Sequence, residues 1–297
     1  MKPLSVAVLI VNYKGYDDLD RALASLTPVL ADDDEVAVVD QESDAAAFRR
    51  VLAPYPRVIA VPNAGNSGFA AGVNRAAART RAPFLLLLNP DAICAGPVPR
   101  VLEQWLRDHP ECGVAGPRVL DADGAVQESA RRFPGPTTAL AGRSTWLTAH
   151  FPGNWLTRRN LLAAAAHGPI GVDWLSGSCF MTRRDVFDRL GGLDEGFFMY
   201  WEDADYCRRA AALGLSCMYV PTVEVRHLAG RSAEYDRERS IRAFHASAYR
   251  LYRKHYGLLG AITGPLVRLG LAVRAELRVR QSRVAAARAA AQRESAS

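Results

Sequence analysis

The chain predicts an α/β fold on a mostly parallel sheet, and two observations carry that prediction. Candidate strands and helices alternate from residue 6 to residue 116, the pattern of strand–helix units that feed a parallel sheet. Among them, Phe84–Leu88 is five large apolar residues without a break, which suits a strand covered on both faces. The run stops at Asn89-Pro90-Asp91, because proline has no N–H to give a ladder. Asp91 is left at the carboxyl end of a central strand, the edge where open α/β sheets bind ligands. A carboxylate there either caps the following helix or holds a divalent cation and, through it, a diphosphate. The residues alone leave both readings open.

The other elements follow in order. Val6–Val11 is the first strand, and Asp17 is placed to cap a helix carrying Leu19, Ala22, Leu23 and Leu26 at helical spacing. Glu35–Val39 is a second strand ending on Asp40, and Val58–Val61 a third. A polar loop, Asn63–Gly68, leads into a helix over Phe69–Arg79 that contains Asn74. Pro97 and Pro99 fall in the first turn of a helix to about Asp108, where proline is tolerated. Val114-Ala115 opens a strand and Asp123-Gly124 marks a hairpin turn. Arg131–Gly171 is long and weakly patterned, with one helical patch near Leu161–Ala166, and reads as a lid or functional loop. Strands are expected at Val172–Leu175 and Cys179–Thr182, a turn at Gly191–Glu195, and a helix opened by Glu202-Asp203-Ala204-Asp205. Met218–Val220 and Val223–Arg226 read as the last strands, with His227 ending the second. From Ala233 the pattern turns helical. Gly257 stops one helix, Pro265 stands at or before the start of the next, and Leu266, Leu269, Val273, Leu277 and Val284 share one side of it. The expected division is a domain over residues 1–232 and a helical, basic extension over 233–297.

The 297 residues are 49% hydrophobic and 23% charged, ordinary for one large globular domain with an extension. A net charge of +6 favours acidic partners: nucleotide diphosphates, nucleic acid or anionic membrane. Five cysteines, an odd number with no C-x-x-C pair, argue against a disulfide framework or a zinc site and for a reducing compartment. The apolar start, Met1–Val11, lacks an A-x-A-like cleavage site and reads as a buried strand. No segment reaches the roughly 18 uncharged apolar residues of a spanning helix, so a cytosolic or peripheral protein is expected. The first strand is not followed by G-x-G-x-x-G, and G-x-x-x-x-G-K-[ST] is absent, which speaks against dinucleotide dehydrogenases and P-loop enzymes.

Polar residues end apolar strands or an aromatic run at Asp40, Asp91, Glu202-Asp203 and His227. Each has a plain structural reading as a turn residue, a cap or a buried histidine. In order along the chain stand Val11-Asn12-Tyr13, Val39-Asp40, Asn66-Ser67-Gly68 with Asn74, Asn89-Pro90-Asp91, Trp174-Leu175-Ser176-Gly177-Ser178, Gly191–Glu195, Phe198–Asp205 and His227. Together these resemble the family-2 glycosyltransferases of GT-A fold. Within that family they are most similar to the actinobacterial rhamnosyltransferases acting on N-acetylglucosaminyl-diphospho-decaprenol.

The resemblance implies a site. Asp40 would hydrogen-bond the nucleotide base, with Asn12 and Tyr13 in the same pocket. Asn66, Gly68, Asn74 and Asn89 would lie along the ribose and diphosphate. Asp91 and His227 would hold Mg²⁺ or Mn²⁺, the donor diphosphate completing the shell. Asn89 replaces the first carboxylate of the usual D-x-D motif, so the metal should bind more weakly before donor arrives. Asp203, a carboxylate of ordinary pKa near 4, would be the catalytic base, and Trp174, Ser178, Trp201 and Glu202 would meet the acceptor. The implied reaction is a single inverting displacement. The favoured donor is dTDP-rhamnose and the acceptor a polyprenyl-diphosphate-linked sugar; nucleic acid is not among the implied partners. Transfer of another hexose or of galactofuranose, and a non-catalytic nucleotide-sugar-binding relative, are the alternatives. A monomer and a homodimer are both compatible with the sequence. From Leu258 to Ser297 seven arginines stand against two glutamates. The stretch reads either as a helix packed on the domain or as a basic attachment to the inner face of the cell membrane.

Overall fold

The computed structural model describes residues 5–42, 44–63, 65–133, 150, 162, 166–228 and 236–294. In chain order these form β1 (Val6–Asn12), α1 (Tyr16–Leu26), β2 (Glu35–Asp40), α2 (Ala45–Leu52), β3 (Val58–Pro62), α3 (Phe69–Ala77), β4 (Phe84–Leu88), β5 (Ala92–Cys94), α4 (Val98–Asp108) and β6 (Cys112–Leu120). Then come β7 (Ala130–Arg131), β8 (Ile170–Val172), β9 (Trp174–Leu175), β10 (Cys179–Arg183), α5 (Arg184–Arg189), α6 (Glu202–Ala212), β11 (Ser216–His227), α7 (Arg237–His255) and α8 (Gly257–Glu294).

The main sheet runs β3-β2-β1-β4-β10-β6-β11-β5, with β8 on β11. The β3-β2-β1-β4 half is parallel, as is β6 with β11, while β10 joins β4 and β6 antiparallel. The unbroken apolar run of β4 has its reason here. Phe84, Leu86 and Leu88 enter the layer of Leu19, Leu23 and Leu102, whereas Leu85 and Leu87 enter the layer of Val73, Phe180 and Tyr206. Both faces of the strand are covered, so neither can be polar. Asp123-Gly124 makes the expected tight turn, with Gly124 at φ +86° and Leu120 bridged to Val126. The five cysteines are buried and free.

Several expectations need correction. The cap of α1 is Gly15, and Asp17 sits within its first turn. Helix α2 was not expected; its alanines carry little periodicity, and it is held by Asp44, whose Oδ1 accepts from the N–H of Ala46 and Ala47. After Asp91 the chain makes β5 before α4 begins. The two last strands are one, β11, with a register shift between Val220 and Glu224 around Pro221, which cannot join the ladder. Strand β5 pairs with its far end and sets His227 opposite Ala92, next to Asp91. The lid expected over Arg131–Gly171, with its helical patch, lies for most of its length outside the described residues.

Helix α7 ends at His255 with Tyr256 as its cap, and Gly257, at φ +51°, turns the chain into α8. Pro265 lies two turns inside α8, not at its start; the break falls at Gly257 because the left-handed residue, not the proline, interrupts the helical dihedrals. Of the two readings left open for this stretch, packing of the apolar side on the domain does not occur: Leu258, Ile262, Leu266 and Leu269 are 62–77% exposed. Contact with α7 is made instead by the buried positions Gly260, Gly264, Ala275 and Val279. The span Gly257–Ala286 is long and apolar enough to cross a membrane by length and composition. The sequence criterion, which demanded no charge at all, passed over it because of Arg268.

Candidate active site

Residues from the carboxyl ends of β1 and β4, the start of α6, the end of β11 and the start of α7 line one cavity of about 430 Å³. Its floor is fixed by sheet register. Asn12 stands opposite Asp40 in the β1–β2 ladder and its Nδ2 donates to Asp40 Oδ1 at 2.9 Å. Tyr16 donates its phenolic O–H to the other carboxylate oxygen at 3.0 Å. Burial pushes the Asp40 carboxyl above its usual range, against these hydrogen bonds.

Gln41, the next residue, shapes the polar loop. Its Nε2 donates to the Gly68 carbonyl at 2.7 Å, and its Oε1 accepts from Asn63 Nδ2 and the Ser67 N–H at 2.6 and 3.0 Å. Gly68 has φ +93°, and a Cβ there would strike the Phe198 carbonyl. Glycine is therefore required on two counts. Phe69 N–H then donates to that same carbonyl at 2.8 Å, tying the loop to the aromatic run.

Asp91 and His227 meet, with Oδ1 and Nε2 3.1 Å apart. Gln127 orients the imidazole: its Nε2 donates to the His227 carbonyl at 2.9 Å and its Oε1 faces His227 Nδ1 at 3.1 Å. Nε2 faces Asp91 Oδ1 on one side and Asn89 Nδ2, at 3.3 Å, on the other. Among the described residues no group of three or more His, Cys, Asp or Glu is placed to hold a metal.

Opposite stands Asp203 at the start of α6. Its Oδ2 accepts from the Gly177 N–H at 2.8 Å and its Oδ1 from the Ala204 N–H at 2.7 Å. The ordinary pKa expected from the sequence does not hold. Burial raises it, although those two N–H groups and the positive charge of Arg131 oppose the rise. Glu202 beside it is pushed well up by burial first and by the Asp203 charge second. The turn that delivers both residues is strained, since Tyr200 and Trp201 have φ +69° and +70°. Two consecutive non-glycine residues in this region each cost on the order of 1–3 kcal/mol.

The structure therefore brings Tyr13, Asn66, Gly68, Asn89, Asp91, Trp174, Ser178, Trp201, Glu202, Asp203 and His227 to one cavity. Ser178 Oγ, Trp201 Nε1 and Glu202 Oε2 have no hydrogen-bond partner among the described residues. Asn12 and Asp40, expected in the donor pocket, are buried and do not line the cavity; their chain neighbours Val11 and Gln41 do. Asn74 is elsewhere: its amide clasps the Gly191–Glu195 turn, donating to the Leu193 carbonyl and Glu195 Oε1 at 2.9 Å each and accepting from Leu193 N–H. Sequence reading missed Gln41, Gln127 and Arg131, whose guanidinium lies over the Trp174 ring at 4.9 Å. It also missed the wall given by Arg239, Ser240 and Phe244 of α7. Only Gln41 carried a signal, directly following a strand-ending carboxylate.

Residues 3–254 match the family described as "Glycosyltransferase like family 2". An N-acetylglucosaminyl-diphospho-decaprenol L-rhamnosyltransferase of Mycobacterium tuberculosis is 32% identical over 296 residues, 93% of each chain. A low-salt glycan biosynthesis hexosyltransferase of Haloferax volcanii is 27% identical over 75% of this chain and 66% of its own. Among solved structures, a Pyrobaculum calidifontis mannosyltransferase in complex with GDP-Man and Mn²⁺ covers 96% of this chain and 81% of its own at TM-score 0.55 and 16% identity. GalNAc-T7 with UDP, GalNAc and Mn²⁺ covers 76% of this chain and 44% of its own at TM-score 0.57 and 17% identity. The fold is that of the GT-A glycosyltransferases.

Proposed function

The chain belongs to glycosyltransferase family 2, and we propose that it transfers L-rhamnose, from dTDP-rhamnose, to a polyprenyl-diphosphate-linked sugar by a single inverting displacement. The observation that carries this reading is the buried Asp203 carboxylate, aimed by two backbone N–H groups into the same cavity as the Asp91–His227 pair. Each carboxylate oxygen has a second lone pair for a substrate proton. A base with its pKa raised by burial takes that proton more readily than an ordinary aspartate. Asp203 removes the proton of the acceptor hydroxyl as the oxygen attacks the anomeric carbon; the carbon–oxygen bond to the nucleoside diphosphate breaks and the electron pair leaves with it. Trp174 and Trp201, tilted with 5.9 Å between centroids, wall the acceptor's part of the cavity, Trp174 nearly buried beneath Arg131.

The donor set fits a hard divalent cation, Mg²⁺ or Mn²⁺. Asp91 Oδ1 and His227 Nε2 stand 3.1 Å apart, a carboxylate oxygen and an imidazole nitrogen of the kind that such an ion takes as ligands. With only two protein ligands the donor phosphates would supply the rest, and the ion would neutralise charge on the leaving diphosphate.

The acceptor class also accounts for α8. An enzyme acting on a lipid-linked sugar works at a bilayer surface, and α8 presents an apolar stripe to the outside. The helix lies along α7, through Arg253 to the Gly260 carbonyl at 2.8 Å and Arg242 to Glu276 at 3.0 Å. It would have to drag that charged helix with it to cross. The attachment proposed is peripheral, on the inner face of the cell membrane.

The experiment is a panel of nucleotide sugars, each tested for Mn²⁺-dependent binding by calorimetry and for transfer to a diphospholipid-linked sugar. dTDP-rhamnose is expected to bind and to be consumed. Asp203→Asn should keep donor Kd and lose about 10²–10⁴-fold in kcat. Transfer within tenfold of wild type would remove Asp203 as base.

A further inference from the structure

A second hollow, of about 610 Å³, lies between α7 and α8 and shares Tyr200, Ser240 and Phe244 with the active-site cavity. Its lining is basic. Arg237 from α7 and Arg274 and Arg278 from α8 face it, and none of the three makes an ion pair or hydrogen bond with a described residue. Their basic neighbours differ: Arg242 and Arg280 are paired with Glu276, and Arg283 with Glu238. Among the described residues no carboxylate lines the hollow. His245 lines it too, only 7% exposed, with Nδ1 on the Ile241 carbonyl at 2.8 Å and Nε2 without a partner. A buried ring nitrogen left unsatisfied is costly unless something outside the chain meets it.

Unneutralised guanidinium groups around a hollow suit phosphate oxygens, which they grip by charge-assisted hydrogen bonds. The apolar stripe Leu266, Leu269, Val273 and Leu277 runs along the same helix that carries Arg274 and Arg278. A ligand with a sugar, then a diphosphate, then a lipid tail meets these surfaces in that order: active-site cavity, basic groove, apolar stripe.

We propose that the groove between α7 and α8 seats the diphosphate of the lipid-linked acceptor, on Arg237, Arg274 and Arg278 with His245. This rests on the acceptor class proposed above. The C-terminal helix then does more than attach: it forms half of the acceptor site. Tyr200 and Phe244, at the junction of the two hollows, sit where the sugar joins its diphosphate. Selectivity for acceptor follows, because a neutral glycoside offers the three exposed guanidinium groups no charge to neutralise.

The test is calorimetric titration of the full chain with a C15 prenyl diphosphate, without vesicles, beside the C15 alcohol as control. Wild type should bind the diphosphate and not the alcohol. Losing two charge-assisted contacts weakens such binding by roughly tenfold or more, so Arg274→Ala/Arg278→Ala should show that loss. The lysine pair at the same positions should recover part of it, and Kd for the nucleotide-sugar donor should move less than twofold. Equal binding of the diphosphate by wild type and the double alanine variant would overturn the proposal. So would a double variant that binds the C15 diphosphate normally but no longer sediments with anionic phospholipid vesicles, since the groove would then hold bulk headgroups. The two readings separate cleanly. Arginine-dependent diphosphate binding without sugar transfer to any diphospholipid acceptor keeps the groove and removes the acceptor reading. Transfer with an unchanged acceptor KM in the double variant does the reverse.

Discussion

Glu202 is buried to 5% exposure and one of its carboxylate oxygens has no partner. Burial and the neighbouring Asp203 charge hold its pKa well up. A carboxyl whose pKa is raised on folding stabilises the fold when protonated, and that contribution is lost as pH climbs through the raised value. Glu202→Gln should therefore raise Tm at pH 7, where the unfolded chain ionises this group and the folded chain resists doing so. The gain should vanish at a pH below the ordinary glutamate value of about 4.3. Melts at the two pH values check it; equal Tm for both proteins at pH 7 would mean that the carboxylate is solvated in a way its burial does not suggest. Gln127 is the other residue to test. It orients His227 through Nδ1 and the backbone carbonyl, and loss of such a partner typically costs about 10–100-fold in metal affinity. Gln127→Ala should weaken Mn²⁺-dependent donor binding by that order without lowering Tm by more than a few degrees, read by calorimetry and melting.

At the scale of elements, α6 and α7 are joined at Asp205, two residues beyond Asp203. This fully buried carboxylate accepts from Arg209 Nε at 2.8 Å, Lys254 Nζ at 2.7 Å and His255 Nε2 at 2.7 Å. Ser247 Oγ adds a bond to the Met199 carbonyl at 2.9 Å, just before the strained turn. The helix that carries the candidate base is thus fixed to the helix that walls the cavity. Removing one partner of a buried ionic cluster leaves charges without compensation and costs on the order of 3 kcal/mol. Asp205→Ala should lower unfolding free energy by about that much in urea titration. A change below 1 kcal/mol would mean that Lys254 and His255 find other partners, Asp194 being within reach of Lys254 at 2.6 Å.

For the whole molecule the question is how the catalytic domain meets its substrate. The exposed stripe of α8 and its arginines are suited to lie in an anionic leaflet, where each basic residue contributes about 1 kcal/mol, screened beyond about 10 Å at 0.1 M salt. The protein should sediment with anionic vesicles at low salt and be released at high salt. Leu266→Glu/Leu269→Glu should abolish sedimentation while the chain remains folded, because both side chains are exposed. Deletion from Gly257 onward should do the same and still leave α7 in place. Equal binding of wild type and the double variant, or binding to neutral vesicles as strong as to anionic ones, would remove α8 as the attachment.

What the sequence determined on its own was everything written in a local pattern. The two-sided burial of Phe84–Leu88, the proline that ends it and the carboxylates at strand ends follow from period and residue type over a few positions, so the sheet and most cavity residues were legible. So was the end of α7 at Gly257, because left-handed dihedrals favour glycine. What only tertiary structure decided was pairing between distant segments. The meeting of Asp91 with His227 depends on β5 and β11, and no local rule pairs residues 136 apart. Gln127 and Arg131 gain their places the same way. Asn74, which fits the motif, was drawn to the Gly191–Glu195 turn by a backbone it could not know in advance. The direction of the α8 stripe was likewise undecided by periodicity, which shows that a helix has an apolar side but not what lies against it. The small residues Gly260, Gly264 and Ala275 allow close approach to α7, and that contact turned the larger leucines outward.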